Sequence, residues 1–283
     1  MIQQSSLSVS KASQVLGVTP RAYHKWKHRK EPTNPNLELT EEIHKVTLEF
    51  PKYGYRRVTH ALRREGHNVN HKRILRLMRE ENLLVRRKKS KPITTQSNHG
   101  LQKYPNLIKD LAVTNMNQVW VADITYISLQ REFVYLALIM DLFSRREIGW
   151  ALSRNPDSQL TLDALNMAIA LRGKANVAGC IHHSDQGVQY ASQAYVQRLR
   201  EVGIKSSMGE VGNSYENAHA ESLNKTIKNE EVWMNEYETL EDAYRNIKEF
   251  LKLYNTKRLH SSIGYKPPIE FEKEQILNTR IVA

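Results

Sequence analysis

Three acidic side chains stand where they could do chemistry: Asp123 in VWVADITYI, Asp185 in IHHSDQG and Glu221 in NAHAESLNKTIKNE. Between the first two lie 61 residues, and between the last two lie 35. Hard divalent cations such as Mg²⁺ take oxygen ligands, usually one or two carboxylates together with phosphate oxygens and water. Two such ions about 4 Å apart can activate an attacking oxygen and stabilise a leaving one in phosphoryl transfer. The chain sets 42 Lys and Arg against 30 Asp and Glu. Carboxylates converging from separate elements of so basic a protein point to a metal-dependent enzyme acting on nucleic acid.

The acids need elements to position them. Residues 119–127 are rich in β-branched and aromatic side chains, residues 133–140 form a nearly continuous apolar run, and 148–152 is a third short candidate strand. The polar stretch 128–131 suits a hairpin between the first two. An amphipathic helix follows over 160–171, carrying Leu162, Leu165, Met167 and Ile169. Then come a strand at 178–182, a helix at 192–201, a strand at 204–208, the helix bearing Glu221 and a helix over 240–254. The order is βββ-α-β-α-β-α. If the first and fourth strands are central neighbours, Asp123 and Asp185 lie side by side, and Glu221 reaches in from a helix packed across the sheet.

Upstream, the chain reads as helical. A short helix is expected over 10–16, then the turn Gly17-Val18-Thr19, then a helix from Pro20 to Lys30, since proline suits a first helical position. Val15, Leu16, Val18, Tyr23 and Trp26 would form a small core. Residues 31–36, Glu-Pro-Thr-Asn-Pro-Asn, read as a linker. Ile43, Val46 and Phe50 share a helical face, and helices over 55–65 and 70–80 flank Gly66-His67. Asn70 suits a cap. This helix–turn–helix pattern with basic faces has the shape of a DNA reader. Ile74, Leu75 and Met78 would pack inward, leaving His71, Lys72, Arg73, Arg76 and Arg79 to phosphates or base edges. The run Arg86-Arg87-Lys88-Lys89-Ser90-Lys91 reads as a basic arm near the DNA backbone, although a plain linker would look similar. The domains expected are a helix–turn–helix-like segment over 1–35, a DNA-binding helix–turn–helix domain over 36–85, a basic linker over 86–115, a catalytic core with C-terminal helices over 116–272, and a tail over 273–283.

Charge follows that division. Residues 1–116 hold 23 Lys and Arg against 9 Asp and Glu, whereas residues 117–283 hold 19 against 21. The cationic excess therefore sits upstream, where it would attract phosphate backbones. No apolar run reaches the length of a membrane span, and the first residues lack a signal-peptide core. A single cysteine, Cys180, leaves no internal disulfide framework and fits a reducing compartment. The expectation is a soluble cytoplasmic protein, on the nucleoid when bound to DNA.

The blocks VWVADITYI, YLALIMDLFSRREIGW, HHSDQGVQYAS, GNSYENAHAESLNKTIKNE and YNTKRLHSSIGYKPPIEFE resemble, in order, those of bacterial insertion-sequence transposases of the IS-three type. The preceding YGYRRVTHALRREGHNVNHKRILRLMREENLL resembles that family's helix–turn–helix, so the likeness runs from about residue 50 to 272. It implies an α/β fold: an RNase H-like catalytic domain of the retroviral-integrase superfamily, with a mixed five-stranded sheet and flanking helices, preceded by an all-α region. It implies that Asp123, Asp185 and Glu221 are a DDE triad binding two Mg²⁺, with Mn²⁺ as substitute, and that water and later a DNA 3′-hydroxyl serve as nucleophile. It implies DNA partners (terminal repeats and target) and a synaptic homo-oligomer on a copy-out, paste-in route. A leucine-zipper stretch expected of the frameshifted full-length enzyme is not evident, so a second-frame product with an upstream-frame partner is the expectation.

Lys228, seven residues after Glu221, lies on the same helical face and could touch the phosphate of an element end. Lys225 is equally readable as an ordinary helix pair with Glu221. Asn217 could position the Glu221 carboxylate or DNA, or cap the helix. Asp141 reads as the organiser of the turn into Ser144-Arg145-Arg146 rather than a metal ligand, and His182, His183 and Cys180 make an implausible zinc site. Gly187 would let the backbone approach DNA, and Gln186 and Tyr190 are substrate-contact candidates. Tyr254, Asn255, Arg258 and His260 suit phosphate contact or structural anchoring equally. Glu216 and Pro267 depart from the family's usual residues, outside the triad. The competing functions are a DNA-binding repressor with a vestigial triad and a metal-dependent nuclease without strand transfer.

Overall fold

The computed structural model describes residues 7–28, 36–85, 101–209 and 217–282. The expected linker over 31–36 falls almost wholly outside them, and the basic run over 86–91 falls outside entirely. The chain forms two compact units, residues 1–45 and 46–283.

In the first unit, α1 (Val9–Val15) and α2 (Pro20–Lys27) precede α3 (Leu37–Glu49). Thr19 caps α2, its hydroxyl accepting from the Ala22 amide at 3.1 Å, with Pro20 in the first turn. Of the five side chains expected to form a core here, only Tyr23 is buried, alongside Ala12 and Ser13. Val15 and Trp26 are 76% and 62% exposed, and Leu16 and Val18 are exposed too. The reason is length: helices of seven and eight residues cannot enclose five large side chains, and α1 ends at Val15, leaving Leu16 and Val18 in a turn.

The second unit begins with α4 (Tyr55–Arg64) and α5 (His71–Glu80), separated by Gly66 at φ +94°. Asn70 caps α5 as expected, accepting from the Lys72 amide at 2.9 Å. Val58, Thr59 and Leu62 of α4 and Ile74, Leu77 and Met78 of α5 are buried. Leu77 takes the place expected for Leu75, because positions 74, 77 and 78 share one helical face whereas 75 lies at its edge.

Five strands follow: β1 (Val119–Ser128), β2 (Phe133–Asp141), β3 (Glu147–Ser153), β4 (Ile181–Ser184) and β5 (Lys205–Met208). Their order is β3-β2-β1-β4-β5, with β1 antiparallel to β2 and parallel to β4. This is the mixed sheet expected, with first and fourth strands adjacent at its centre. The helices are α6 (Ser158–Arg172), α7 (Gln193–Glu201), α8 (Ala218–Glu230), α9 (Leu240–Thr256) and α10 (Pro268–Val282). Period-two alternation assigns β1 to both layers. Val119 and Val121 pack with Ala220, Leu223 and Ile227 of α8 and with α9, while Trp120 and Ala122 pack with α6 and α7. A sheet covered on both faces explains why β2 reads as unbroken hydrophobe.

Two features depart from the sequence reading. The fourth strand starts at Ile181 rather than 178, because Gly179 turns the chain at φ +84° and donates its amide to the Gly203 carbonyl at 2.8 Å. Residues 268–282 form one helix, α10, which continues through the segment expected as a tail over 273–283. The helix–turn–helix also lies against the C-terminal segment. The Leu259 amide donates to Tyr53 Oη at 2.6 Å, the His60 ring stacks on Tyr265 at 3.7 Å, and Arg64 pairs with Glu270 at 2.5 Å.

Candidate catalytic centre

Asp123 lies five residues into β1, on the same face as Val119 and Val121. That face looks toward α8. The β1–β4 ladder pairs Val119 with Ile181 and Val121 with His183. Two residues further along that register stand Asp123 and Asp185, the first in the strand and the second just past the end of β4. Asp123 Oδ1 accepts from the Ile124 amide at 2.9 Å, and Asp123 Oδ2 accepts from Asn224 Nδ2 at 2.7 Å. Burial, then the charge of Asp185, raises the Asp123 carboxyl to about 7, against the Asn224 and Ile124 hydrogen bonds; Glu221 adds a smaller push.

Asp185 is held by its own loop. Its Oδ1 accepts from the Gly187 amide at 3.0 Å, and a Cβ at position 187 would stand 2.9 Å from that oxygen. A side chain at this position would crowd the aspartate, so glycine suits the loop that holds Asp185. Tyr190 is buried, its hydroxyl has no hydrogen-bond partner, and it feels the charges of both Asp123 and Asp185. Gln186 donates to the Gly209 carbonyl at 2.9 Å.

Glu221 sits exposed in the first turn of α8. Asn217, at the start of that helix, is buried and makes no side-chain cap; its amide donates to the Ala122 carbonyl at 3.2 Å, beside Asp123. Asn217 and Asn224 therefore grip β1 on either side of Glu221. Asn224 was not singled out from the sequence, although its position three residues after Glu221 puts it on the same face. Lys228 is half-buried, its ammonium 4.1 Å from the centroid of the Tyr126 ring. Burial lowers its pKa, and Asp123 partly offsets that. Lys225 is exposed.

The sheet brings Asp123 and Asp185 together, and α8 adds Glu221, Asn224 and Lys228 on one side. The three carboxylates do not each place an oxygen within 4.8 Å of the other two. The donor set still suits a hard divalent cation, since all three ligands are carboxylates and two are adjacent acids whose mutual repulsion a cation would relieve.

Lys72, Arg73, Arg76 and Arg79 lie exposed on α5, where Arg76 makes a weak 3.6 Å pair with Glu80. Arg86, Arg87, Lys88 and Lys89 lie outside the described residues. Asp141 is fully buried and organises its turn as expected: Oδ1 accepts from the Phe143 and Ser144 amides, both at 3.0 Å, and Oδ2 from the Asn117 amide at 2.8 Å. His182 meets the Tyr195 hydroxyl at 2.8 Å and His183 the Ser207 hydroxyl at 2.9 Å, both inside the core. In the 254–260 cluster, Asn255 bonds both backbone groups of Glu147, and Arg258 makes a buried bidentate pair with Glu230 at 2.6 Å. These two are anchors.

An integrase core domain family matches residues 113–214, a second integrase core domain family matches 202–268, and an HTH-like domain family matches 35–91. The transposase for insertion sequence element IS904 of Lactococcus lactis is 37% identical over 253 residues, covering 87% of this chain and 98% of that protein. The uncharacterized 31 kDa protein of insertion element IS600 from Shigella sonnei is 36% identical, with coverage of 92% and 97%. The putative transposase of IS986/IS6110 from Mycobacterium tuberculosis is 33% identical, with coverage of 91% and 95%. Among the described residues, no helix is long and apolar enough to cross a membrane.

Proposed function

This chain belongs to the insertion-sequence transposases with an integrase core domain, and from that premise we propose that Asp123, Asp185 and Glu221 are its catalytic acids and that Mg²⁺ is its metal. The enzyme is a polynucleotidyl transferase of DNA transposition. The observation that carries the residue assignment is the convergence at the centre of the sheet: adjacent parallel strands β1 and β4 bring two aspartates together, and the helix bearing Glu221 bonds directly to the first of them through Asn224.

When bound, the metal supplies Lewis acidity at the scissile phosphate and a more acidic attacking oxygen. The chain's own residues do the rest. Asp123 and Asp185 present oxygens from a rigid sheet, and the Gly187 amide and Asn224 fix one oxygen of each. Glu221, on the exposed first turn of α8, closes the set as the third carboxylate. Lys228 reaches the same region over Tyr126 and places a cation where a DNA phosphate would lie. The exposed cations of α5, followed by the basic run from Arg86, hold the element end on the helix–turn–helix side. Joining two ends to one target calls for at least two protomers in one synaptic complex.

The test is strand transfer on labelled duplexes carrying the element's own termini, with Mg²⁺ or Mn²⁺, comparing the native protein with Glu221→Gln. Joined products from the native protein alone are expected. Cleavage without joining would move the assignment to a nuclease, and binding without chemistry in either protein would move it to a repressor.

A further inference from the structure

Basic side chains from four segments gather with little negative charge to balance them. Arg57 comes from α4, Arg145 from the turn after β2, His219 from the first turn of α8, and Arg258 and His260 from the segment after α9. Arg145 Nη1 lies 2.9 Å from His219 Nδ1. The Tyr254 hydroxyl donates to the Arg145 carbonyl at 3.2 Å, and the Arg258 guanidinium lies 5.3 Å from the Tyr254 ring centroid. Arg57 packs 5.6 Å from the ring centroid of Tyr53, whose hydroxyl takes the Leu259 amide.

Arg258 occupies both oxygens of Glu230, and the charges of Glu230 and Asp141 reach Arg57 and Arg145 without an ion pair among the described residues. Among the described residues, no carboxylate lies within 4 Å of Arg57 or Arg145, and Arg57 Nε is buried without a hydrogen-bond partner. Burial depresses the pKa of both arginines, and Arg258 pushes Arg57 down further. His260 is driven down to about 3 by burial and then by Arg258, Arg145, Arg57 and His219. Charges withdrawn from water without a partner are costly, so a fold that keeps them has a use for them. Arg145 is also one of the few non-glycine residues at positive φ, +62°, in a turn closed by its own amide donating to the Asp141 carbonyl at 2.9 Å. Strain of that kind persists where surrounding structure imposes it, commonly at a functional site.

We propose that Arg57, Arg145 and His219 form a binding site for a backbone phosphodiester of the DNA, between the helix–turn–helix and the helix that carries Glu221. Guanidinium forks match phosphate oxygens, and a phosphate there would answer the unpaired charge. Residues from α4 and α8 share the site, so one bound phosphate would fix an element end relative to both. This rests on the reading of the protein as acting on element ends, and it adds a contact that neither the α5 cations nor Lys228 supplies.

The test uses the full chain and an Arg57→Gln/Arg145→Asn variant, asparagine being chosen because it tolerates positive φ. Thermal melts in inorganic phosphate, against chloride at equal ionic strength, probe the site without DNA. Phosphate is expected to raise the native melting temperature selectively and to leave the variant unmoved. In ligand-free buffer the variant should melt at or above the native temperature. Binding to a labelled duplex is expected to weaken about tenfold near physiological salt, and the salt dependence to become shallower by about 0.9 in log–log slope for the lost phosphate. Arg145→Lys, which keeps the charge but not the fork, should keep the native salt slope while losing part of the affinity. Equal phosphate protection in both proteins, protection in neither, or an unchanged DNA salt slope would overturn the site. Selective phosphate protection with no DNA binding by the native protein would leave the site standing and remove the DNA-end reading instead.

Discussion

Asp123 is the residue on which the proposed centre turns, because it is half-buried, faces a second carboxylate and takes a hydrogen bond from the helix that brings the third. Its carboxyl is raised to about 7, so proton and cation compete for it in the neutral range. Uptake of Mn²⁺ should therefore weaken as pH falls below about 7. Asn224→Ala removes a bond that favours the ionised form, so the midpoint should move to higher pH, with little change in melting temperature at pH 5; a midpoint that stays put would remove Asn224 from the site. Glu147 offers a separate check away from the metal. Burial raises it from 4.5 to about 8, against its Asn255 hydrogen bond. A raised carboxyl stabilises the fold fully below its unfolded pKa and loses that contribution as pH rises through the folded value. Melting temperature should thus decline between pH about 4.5 and 8, and Glu147→Gln should flatten that decline. The acids were legible in the sequence because each sits in a distinctive block. Asn224 and Tyr190 were less so: their roles depend on a helix crossing the sheet, and on a hydroxyl buried beside two charges, which spacing alone does not reveal.

At the scale of elements, the sheet was readable wherever strand chemistry was dense. The β-branched and aromatic run of β1 and the apolar run of β2 declared themselves, whereas the four-residue β4 begins three positions later than its composition suggests, after a glycine turn. The small N-terminal core departs from its apolar content, because its helices are too short to enclose the side chains they carry. Helix α10 was missed because its apolar residues make no clean stripe among many polar ones. One contact between elements is tight enough to test directly. A Cβ on Gly149 in β3 would stand 2.2 Å from the Ala164 carbonyl and 2.9 Å from Ala168 in α6. Gly149→Ala should destabilise the fold by about 3 kcal/mol through forced separation of helix and strand. A denaturant midpoint within error of the native one would show that α6 does not sit that close.

Across the whole molecule, α10 ties the catalytic sheet to the helix–turn–helix. Glu272 is buried against Arg172, Arg146 and the Ser144 hydroxyl, and Arg172 also faces Asp141 at 3.4 Å. Two residues earlier, Glu270 reaches Arg64 on α4. Burial opposes ionisation of Glu272, but its arginine and serine partners hold it below the ordinary glutamate range. Its stabilisation is accordingly present above that range and lost as pH falls through it. Glu272→Gln should cost about 3 kcal/mol, as expected when one partner of a buried ionic network is removed, and should blunt acid unfolding. An unchanged acid-unfolding curve would dissociate this network from stability. The proposed chemistry requires Asp123 and Asp185 to form one metal site, with Glu221 joining from α8. Titration of Mn²⁺ by electron paramagnetic resonance, with Mg²⁺ as competitor, measures that directly in the native protein and in Asp123→Asn, Asp185→Asn and Glu221→Gln. Mg²⁺-displaceable binding in the native protein, weakened at least about tenfold in each aspartate variant and less in Glu221→Gln, is the result predicted. Binding of equal affinity in the native protein and both aspartate variants would contradict it.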